Sequence, residues 1–269
     1  MIFRARLIFP AILALLVAGA CQTVPPAPAQ SAVSPGWVGS WVSAQQIPEP
    51  GNALPAADLE NATLRQVIRA TLGGQRIRVR VSNAYGTAPL TIGETTIARS
   101  VAPDTARIDL RSSRIVTFSN EKAATVPAGA YMLSDPIDFR VEPLTHLAVS
   151  MYFPKAPRQQ TGHPGSRATA YLLPGNRVKE QTLPDAKQVD HWYQLAGLDV
   201  TATGSSQALV VIGDSITDGF GVRPNTDQRW TDFLISRVQA DPELQGRLAV
   251  LNVGLGGNRL HRGTACRDR

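Results

Sequence analysis

Five apolar residues in a row, Ala208-Leu209-Val210-Val211-Ile212, end abruptly at Gly213-Asp214-Ser215. A strand that is apolar on both faces belongs inside a parallel sheet, where crossover helices cover both sides. The next residues fit such a unit. Thr226 to Ala240 carries Trp230, Phe233, Leu234 and Val238 at helical spacing, which predicts a helix with one buried stripe. Pro242 and Gly246 close it, and Leu248-Ala249-Val250-Leu251-Asn252-Val253 reads as a second apolar strand before Gly254-Leu255-Gly256-Gly257. Strand, helix and strand in this order begin a parallel α/β sheet.

Ser215 then stands at the C-terminal end of the first strand, the edge at which open α/β sheets hold their ligands. The glycine before the Asp-Ser pair lets the chain turn sharply and a substrate approach. A helix start just beyond it offers unpaired N–H groups where negative charge is welcome. An isolated Gly-Asp-Ser is usually a turn whose Asp and Ser bond their own backbone. On the end of this strand, and extended to Gly213-Asp214-Ser215-Ile216-Thr217-Asp218-Gly219, it reads as a nucleophile. Asp214 and Asp218 read as turn-shaping side chains rather than chemical groups.

The residues before this unit have a different period. Arg76-Ile77-Arg78-Val79-Arg80-Val81 alternates strictly, and Arg114 to Phe118 alternates again. Leu64 to Ala70 is mixed, Leu90 to Ile97 reads as one strand, and Leu147 to Phe153 is another, stopped by Pro154. Asn83-Ala84-Tyr85-Gly86 marks a turn, as do Pro127 and Gly129. Short strands with this punctuation predict a β-sandwich or jelly roll over residues 36–203.

Composition narrows the function classes. The chain has 27 basic and 21 acidic residues, a net +6, but no block of like charge. Nucleic-acid binding needs a clustered basic footprint, so this spread of charge excludes it. The two cysteines, Cys21 and Cys266, make no disulfide framework and no zinc pair.

Residues 1–21 read as an export signal: Arg4 and Arg6, an apolar run from Leu7 to Val17, then Ala18-Gly19-Ala20-Cys21. Small residues abutting a cysteine resemble the bacterial lipobox, which predicts acylation of Cys21. A plain secretory signal is the competing reading. The run falls short of the roughly 20 residues that a membrane span needs, whereas two or more acyl chains would hold the protein at a membrane surface. Residues 22–35, QTVPPAPAQSAVSP, read as a tether.

The motifs together resemble a known family. Gly213 to Gly219 is similar to the first block of the SGNH/GDSL hydrolases, and Asn252-Val253-Gly254-Leu255-Gly256-Gly257-Asn258-Arg259 to the second. Upstream, Gly39-Ser40-Trp41, Thr63-Leu64-Arg65-Gln66 and Val81-Ser82-Asn83-Ala84-Tyr85-Gly86 resemble stretches of the N-terminal β-rich domain of bacterial multidomain members. The resemblance implies a mixed fold: a β-sandwich or jelly-roll-like domain followed by an incomplete, flavodoxin-like SGNH three-layer α/β domain over 208–269. It implies a serine ester hydrolase acting on acyl esters of carbohydrate or lipid, with Ser215 as nucleophile. The backbone N–H groups of Ser215 and Gly257 would form an oxyanion hole, and Gly213, Asp214 and Asn258 would support them. It implies no cofactor and no metal.

The family's third block, which supplies an asparagine, and its last, an aspartate and a histidine three apart, have no counterpart here. The expectation is therefore a truncated, nearly inactive chain with an uncovered, aggregation-prone sheet. The polar stretch His261 to Arg269 reads as a frame change or an assembly error at the end of a gene. Position alone assigns none of His146, His163, His191 and His261 as a base. The non-enzymatic alternative is a surface lipoprotein whose sandwich binds glycan. A dinucleotide site at Gly254 to Gly257 is set aside because Arg259 occupies the third glycine's place.

Overall fold

The computed structural model describes residues 36–202 and 204–259. The export signal, Cys21, the tether, His261 and Cys266 lie outside the described residues. The described parts belong to one compact unit, Val33–Arg269.

Two antiparallel sheets dominate. In the first, Gly36–Val42, Leu195–Ala202, Gly74–Ser82 and Tyr131–Leu133 lie in that order, and Ile137–Val141 also pairs with Gly74–Ser82. The second runs Lys187–Val189, Ala170–Pro174, Ala62–Arg69, His146–Phe153, Glu94–Arg99, Arg114–Val116. Both feed one apolar cluster: Ile77, Val79 and Val81 from the first sheet meet Leu64, Ile68, Leu147, Val149 and Phe153 from the second. The alternation in Gly74–Ser82 explains the arginines, which occupy its other face. Arg78 and Arg80 both reach the Asp199 carboxylate, at 3.2 and 3.3 Å, and Arg78 also lies 4.0 Å over the Trp37 ring.

One strand expectation changes in detail. Leu90 to Ile97 is broken at Gly93 into Leu90–Ile92, which pairs with Ala124–Val126, and Glu94–Arg99. Gly93 passes so close over Tyr152 that a Cβ would sit 2.7 Å from its ring, so the break falls at a residue without a side chain. Ala62–Arg69, whose composition is mixed, is buried on both faces. Its outer face carries Arg65, 0% exposed, which donates to Ser150 Oγ at 2.7 Å and to the carbonyls of Ala106 and Glu180 at 2.6 and 2.7 Å. Burial pulls its pKa down to about 10, so it stays charged at neutral pH and gathers two loops over the sheet.

The three upstream motifs prove to be structural. Ser40 Oγ accepts from Leu72 N and donates to Leu72 O, at 3.1 and 2.8 Å. Gln66 exchanges two hydrogen bonds with the Tyr193 backbone, at 2.8 and 2.6 Å. Asn83, 1% exposed, donates to the carbonyls of Ala88 and Val126 at 2.9 and 3.0 Å and so fixes the turn.

The remaining part is the parallel pair Gln207–Gly213 and Leu248–Gly254, in register from Gln207↔Leu248 to Gly213↔Gly254, joined through Ser215–Asp218 and the helix Trp230–Ala240. Among the described residues only Leu248–Gly254 pairs with the apolar strand, and Leu209, Val210 and Ile212 are 42%, 52% and 72% exposed, the open face expected where two strands and one helix stand without further cover. The helix buries Val238 as expected, but together with Thr231, Ile235 and Gln239, while Trp230 and Phe233 face outward and Leu234 is half-buried, which corrects the expected stripe. Polar anchors set that rotation. Gln239 Nε2 donates to Thr71 O and Leu248 O at 3.0 and 3.1 Å, and Thr231 Oγ1 accepts from Asn252 Nδ2 at 2.9 Å.

Candidate active site

The strand Gln207–Gly213 ends in one turn of helix, and Ser215 is the first residue of that turn. Asp214 is its N-cap: the carboxylate accepts the Ile216 N–H at 2.9 Å, and the Asp214 carbonyl accepts from Asp218 N at 3.0 Å. Gly219, at φ 103, closes the turn in the left-handed region. With a single turn there is no macrodipole to speak of, so any help to an anion must come from individual N–H groups.

Two glycines make the tight packing available. A Cβ on Gly213 would lie 2.2 Å from Thr217 Oγ1, and one on Gly254 2.4 Å from Asp218 N. The helical turn therefore rests directly on the ends of both parallel strands. Asn252 locks it there, donating to Thr217 O at 2.7 Å while its Oδ1 accepts from Gly254 N at 2.8 Å. The glycine-rich bend is strapped to the same place: Leu255 N and Asn258 Nδ2 both donate to Gly213 O, at 3.1 and 3.2 Å.

The β-rich part closes round this turn. His163 Nε2 lies 2.8 Å from Asp218 Oδ1, with the two side chains 4% and 7% exposed. The His163 ring stacks on Trp192 at 5.8 Å, and Trp192 meets Trp41 edge-on at 4.8 Å. Arg229 donates to Asp218 O at 2.9 Å and to Ser166 O. Beside it Asn225 exchanges two 2.8 Å hydrogen bonds with Thr169. A second ionic group joins Asp227 to His146 at 2.9 Å and to Arg69 at 3.4 Å. Burial disfavours the Asp227 carboxylate, but the His146 hydrogen bond and charge, with Arg69 and Arg229, outweigh it and hold the pKa below the ordinary value. Neighbouring Asp232 goes the other way: burial raises its pKa against the pull of Arg229.

Ser215 lines an open cleft shared by the two parts, with His191, Arg167 and Glu49 on the wall contributed by the β-rich residues. Phe220, Leu255 and Gly256 complete the side nearest Ser215. None of the described histidines is hydrogen-bonded to Ser215. His146 and His163 hold Asp227 and Asp218, and His191 Nδ1 lies 2.6 Å from Pro164 O. A carbonyl only accepts, so His191 Nδ1 carries a proton and donates to Pro164 O.

The fold brings most of the sequence-predicted residues together. Ser215, Gly213 and Asp214 form the strand end and its turn, and Asn258 ties the bend to them. Gly257, at φ +76, is exposed on that bend, and Gly256 rather than Gly257 lines the cleft. Asp218, expected to shape its own turn, is also the anchor for His163. Sequence reading missed the wall formed by Glu49, Arg167 and His191, and the clamp made by His163 and Arg229. The Gly162-His163-Pro164-Gly165 loop was the one signal, and nothing local to it pointed to Asp218. A Cβ on Gly165 would lie 1.9 Å from Asp218 Oδ2, so that glycine is the contact's sequence trace.

Residues 209–264 match the model of a family described as GDSL-like Lipase/Acylhydrolase. The match covers the parallel-strand part and leaves the β-rich residues outside it. No curated protein matches the chain.

Proposed function

We propose that this chain is a GDSL-type serine ester hydrolase in which the Ser215 hydroxyl attacks the carbonyl carbon of an acyl ester. The acyl group passes to Ser215 Oγ, the alcohol leaves with a proton, and water then releases the acid. The oxyanion formed in each step would be met by the N–H of Ser215 and, on the family resemblance, by that of Gly257, once a ligand draws the bend past the cleft-lining Gly256 toward Ser215. One such donor is worth on the order of 3 kcal/mol in a comparable site.

One observation carries this reading. The serine that begins the turn lies on an open cleft wall, and the glycine-rich bend is strapped to the same strand end by Leu255 N and Asn258 Nδ2. Asp214 supports it as the cap that fixes the turn. Export and acylation at Cys21 belong to the same reading and would bring the cleft to esters near a membrane surface. Loss of fatty-acid labelling in Cys21→Ser would support that.

The test is covalent. A fluorophosphonate should label Ser215, slowly because no described histidine is hydrogen-bonded to it, with the site identified by peptide mass spectrometry, and Ser215→Ala should lose both the label and whatever slow p-nitrophenyl acetate turnover the protein shows. Protein that takes no label, or turnover that survives in Ser215→Ala, overturns the assignment.

A further inference from the structure

The sequence holds no run of like charge, but the fold gathers one. Arg99, Arg111, Arg114 and Arg140 line one open depression together with Asp109 and Asp138. It lies where Arg114–Val116, the last strand of one large sheet, runs beside Ile137–Val141 of the other. Arg76 extends it, 3.2 Å from Asp138, and Arg140 lies 2.7 Å from Glu142. These two carboxylates are 93% and 63% exposed, so the pairs are screened by water and hold their arginines weakly. Asp109 is committed to the backbone, where it accepts the Arg111 N–H at 3.0 Å. Arg99 and Arg114 donate to main-chain oxygens: Arg99 to Arg140 O at 2.5 Å, Arg114 to Arg111 O and Ser113 O at 3.2 and 2.9 Å. A carbonyl positions a guanidinium without cancelling its charge. Arg76, Arg99, Arg111, Arg114 and Arg140 against Asp109, Asp138 and Glu142 leave the face positive at any physiological pH.

Two aliphatic side chains stand in the open among these charges. Leu110, next to Arg111, is 45% exposed, and Ile115, next to Arg114, is 39% exposed. Arginines interleaved with exposed aliphatics suit a lipid surface, where the guanidinium groups meet headgroup phosphates and the aliphatics enter the acyl boundary. A single-stranded nucleic acid would ask for aromatic rings on which bases stack. The aromatic residue of this depression, Phe139, is 5% exposed and lies under Arg99, 5.1 Å from its ring centre to the guanidinium. The path of the chain agrees with a lipid partner. Val38, Val200, Ile77 and Ile137 form one row across the first sheet, and Gly36 and Arg140 lie beyond that row at the same end. The tether and the Cys21 anchor read from the sequence would join the fold there, two strands or roughly 10 Å from the strand that carries Arg76.

We propose that the face formed by these five arginines with Leu110 and Ile115 lies against an anionic phospholipid surface. Neither the face nor its test involves Ser215, so it stands apart from the hydrolase reading. Residues 22–269, which keep the whole compact unit Val33–Arg269 and carry no acyl anchor once Cys21→Ser is made, are titrated with phosphatidylcholine vesicles and with vesicles containing about one third phosphatidylglycerol, and bound protein is read by co-sedimentation. The anionic vesicles should bind at least about twentyfold tighter at low salt, and the preference should shrink as salt rises. Arg111→Gln and Arg114→Gln should each lower anionic-vesicle affinity about fivefold. Lys155→Gln, an equal loss of charge at an exposed site beyond the other end of His146–Phe153, should leave it unchanged. Leu110→Ser with Ile115→Thr should lower it about tenfold. Equal binding to both vesicles, or an anionic preference that survives Arg111→Gln with Arg114→Gln, overturns the proposal. Tighter capture of a single-stranded DNA oligonucleotide, with no effect of the Leu110 and Ile115 substitutions on vesicle binding, assigns the face to a polyanion in solution and overturns it as well.

Discussion

The two parts of the molecule are built on opposite principles. The β-rich part encloses its apolar side chains: Phe153, Ile97 and Leu147 are 0% exposed and belong to one cluster fed by both sheets. The parallel-strand part encloses few. Ile235, Val238 and Val250 form its own small cluster, while Ile212, Ile216 and Phe220 are 72%, 72% and 77% exposed. The difference shows where the geometry of the site comes from. A unit with so little core cannot hold a nucleophile turn by apolar packing alone. The turn is held by polar contacts with the β-rich part, His163 to Asp218 and Arg229 to the 165–166 backbone. The β-rich part is therefore a wall of the cleft and a brace for Ser215, as well as a neighbour.

The largest effect should come from the enclosed core. Phe153→Ala removes a fully buried ring between two sheets and should cost about 3–5 kcal/mol, the usual range for such a truncation. Urea unfolding would read this as a lower midpoint at unchanged slope. A loss under about 1 kcal/mol would mean that the two sheets do not enclose a close-packed core.

That contrast was only half legible in the sequence. Strict alternation in Arg76 to Val81 gave both the strand and its buried face, since period two admits one solution once one side is apolar. The run from Ala208 to Ile212 gave a strand as well, but its burial did not follow. Apolar composition states what a face would gain from cover, whereas cover depends on which other strands and helices are there. Helix Trp230–Ala240 was read from its largest side chains, yet it turned toward Thr231 and Gln239, whose partners Asn252 and Thr71 come from other elements. The site divided the same way. Ser215 and its glycines were readable because a sharp turn leaves a local trace. Arg167, His191 and Glu49 were not, because a cleft wall assembled from distant loops has no sequence period.

A cut at the seam should have the next largest effect. Asp218→Ala removes a hydrogen-bonded carboxylate that is 5% exposed. It should cost about 1.5–3 kcal/mol, as for other hydrogen bonds to charged groups. It should also slow fluorophosphonate labelling of Ser215 by about tenfold or more, because small misplacements of a reacting group carry large rate penalties. Asp218→Asn, which keeps one acceptor for His163, should recover most of both. Amide exchange sharpens the point: the 207–213 and 248–254 amides should exchange faster than those of 147–153, and faster still in Asp218→Ala. Equal exchange in all three strands would break the comparison.

Acid should act on the seam through Asp227. A carboxylate whose folded pKa is depressed contributes stability above its unfolded value, and that contribution is lost as pH falls through the folded value. Asp232 has the opposite sign, because its raised pKa makes ionisation costly in the fold, and that cost is relieved as pH falls through the raised value. The two partly offset until the pH drops below the ordinary carboxylate range of about 4. The net loss then belongs to Asp227. Asp227→Asn should be less stable than the unmutated protein at neutral pH and lose less between pH of about 5 and 2. An unchanged acid limb in that variant would place the sensitivity in the β-rich carboxylates Glu94 and Asp135 instead, which also have depressed values.

The smallest effect on stability should come from the exposed face, and its smallness is the informative part. Phe233 is 56% exposed on the outer side of its helix. Phenylalanine and serine have nearly the same helix propensity, so Phe233→Ser changes neither the backbone preference nor a packed contact. Its stability should move by no more than about 0.5 kcal/mol, as for other surface substitutions. Solubility should change more than stability, because the residue contributes to an apolar surface with Trp230 on the same helix. Lower binding of an apolar dye and a higher concentration threshold for aggregation would report that. A loss comparable to Phe153→Ala would show instead that Phe233 is packed in solution, and the contrast between a closed part and an open one would no longer hold.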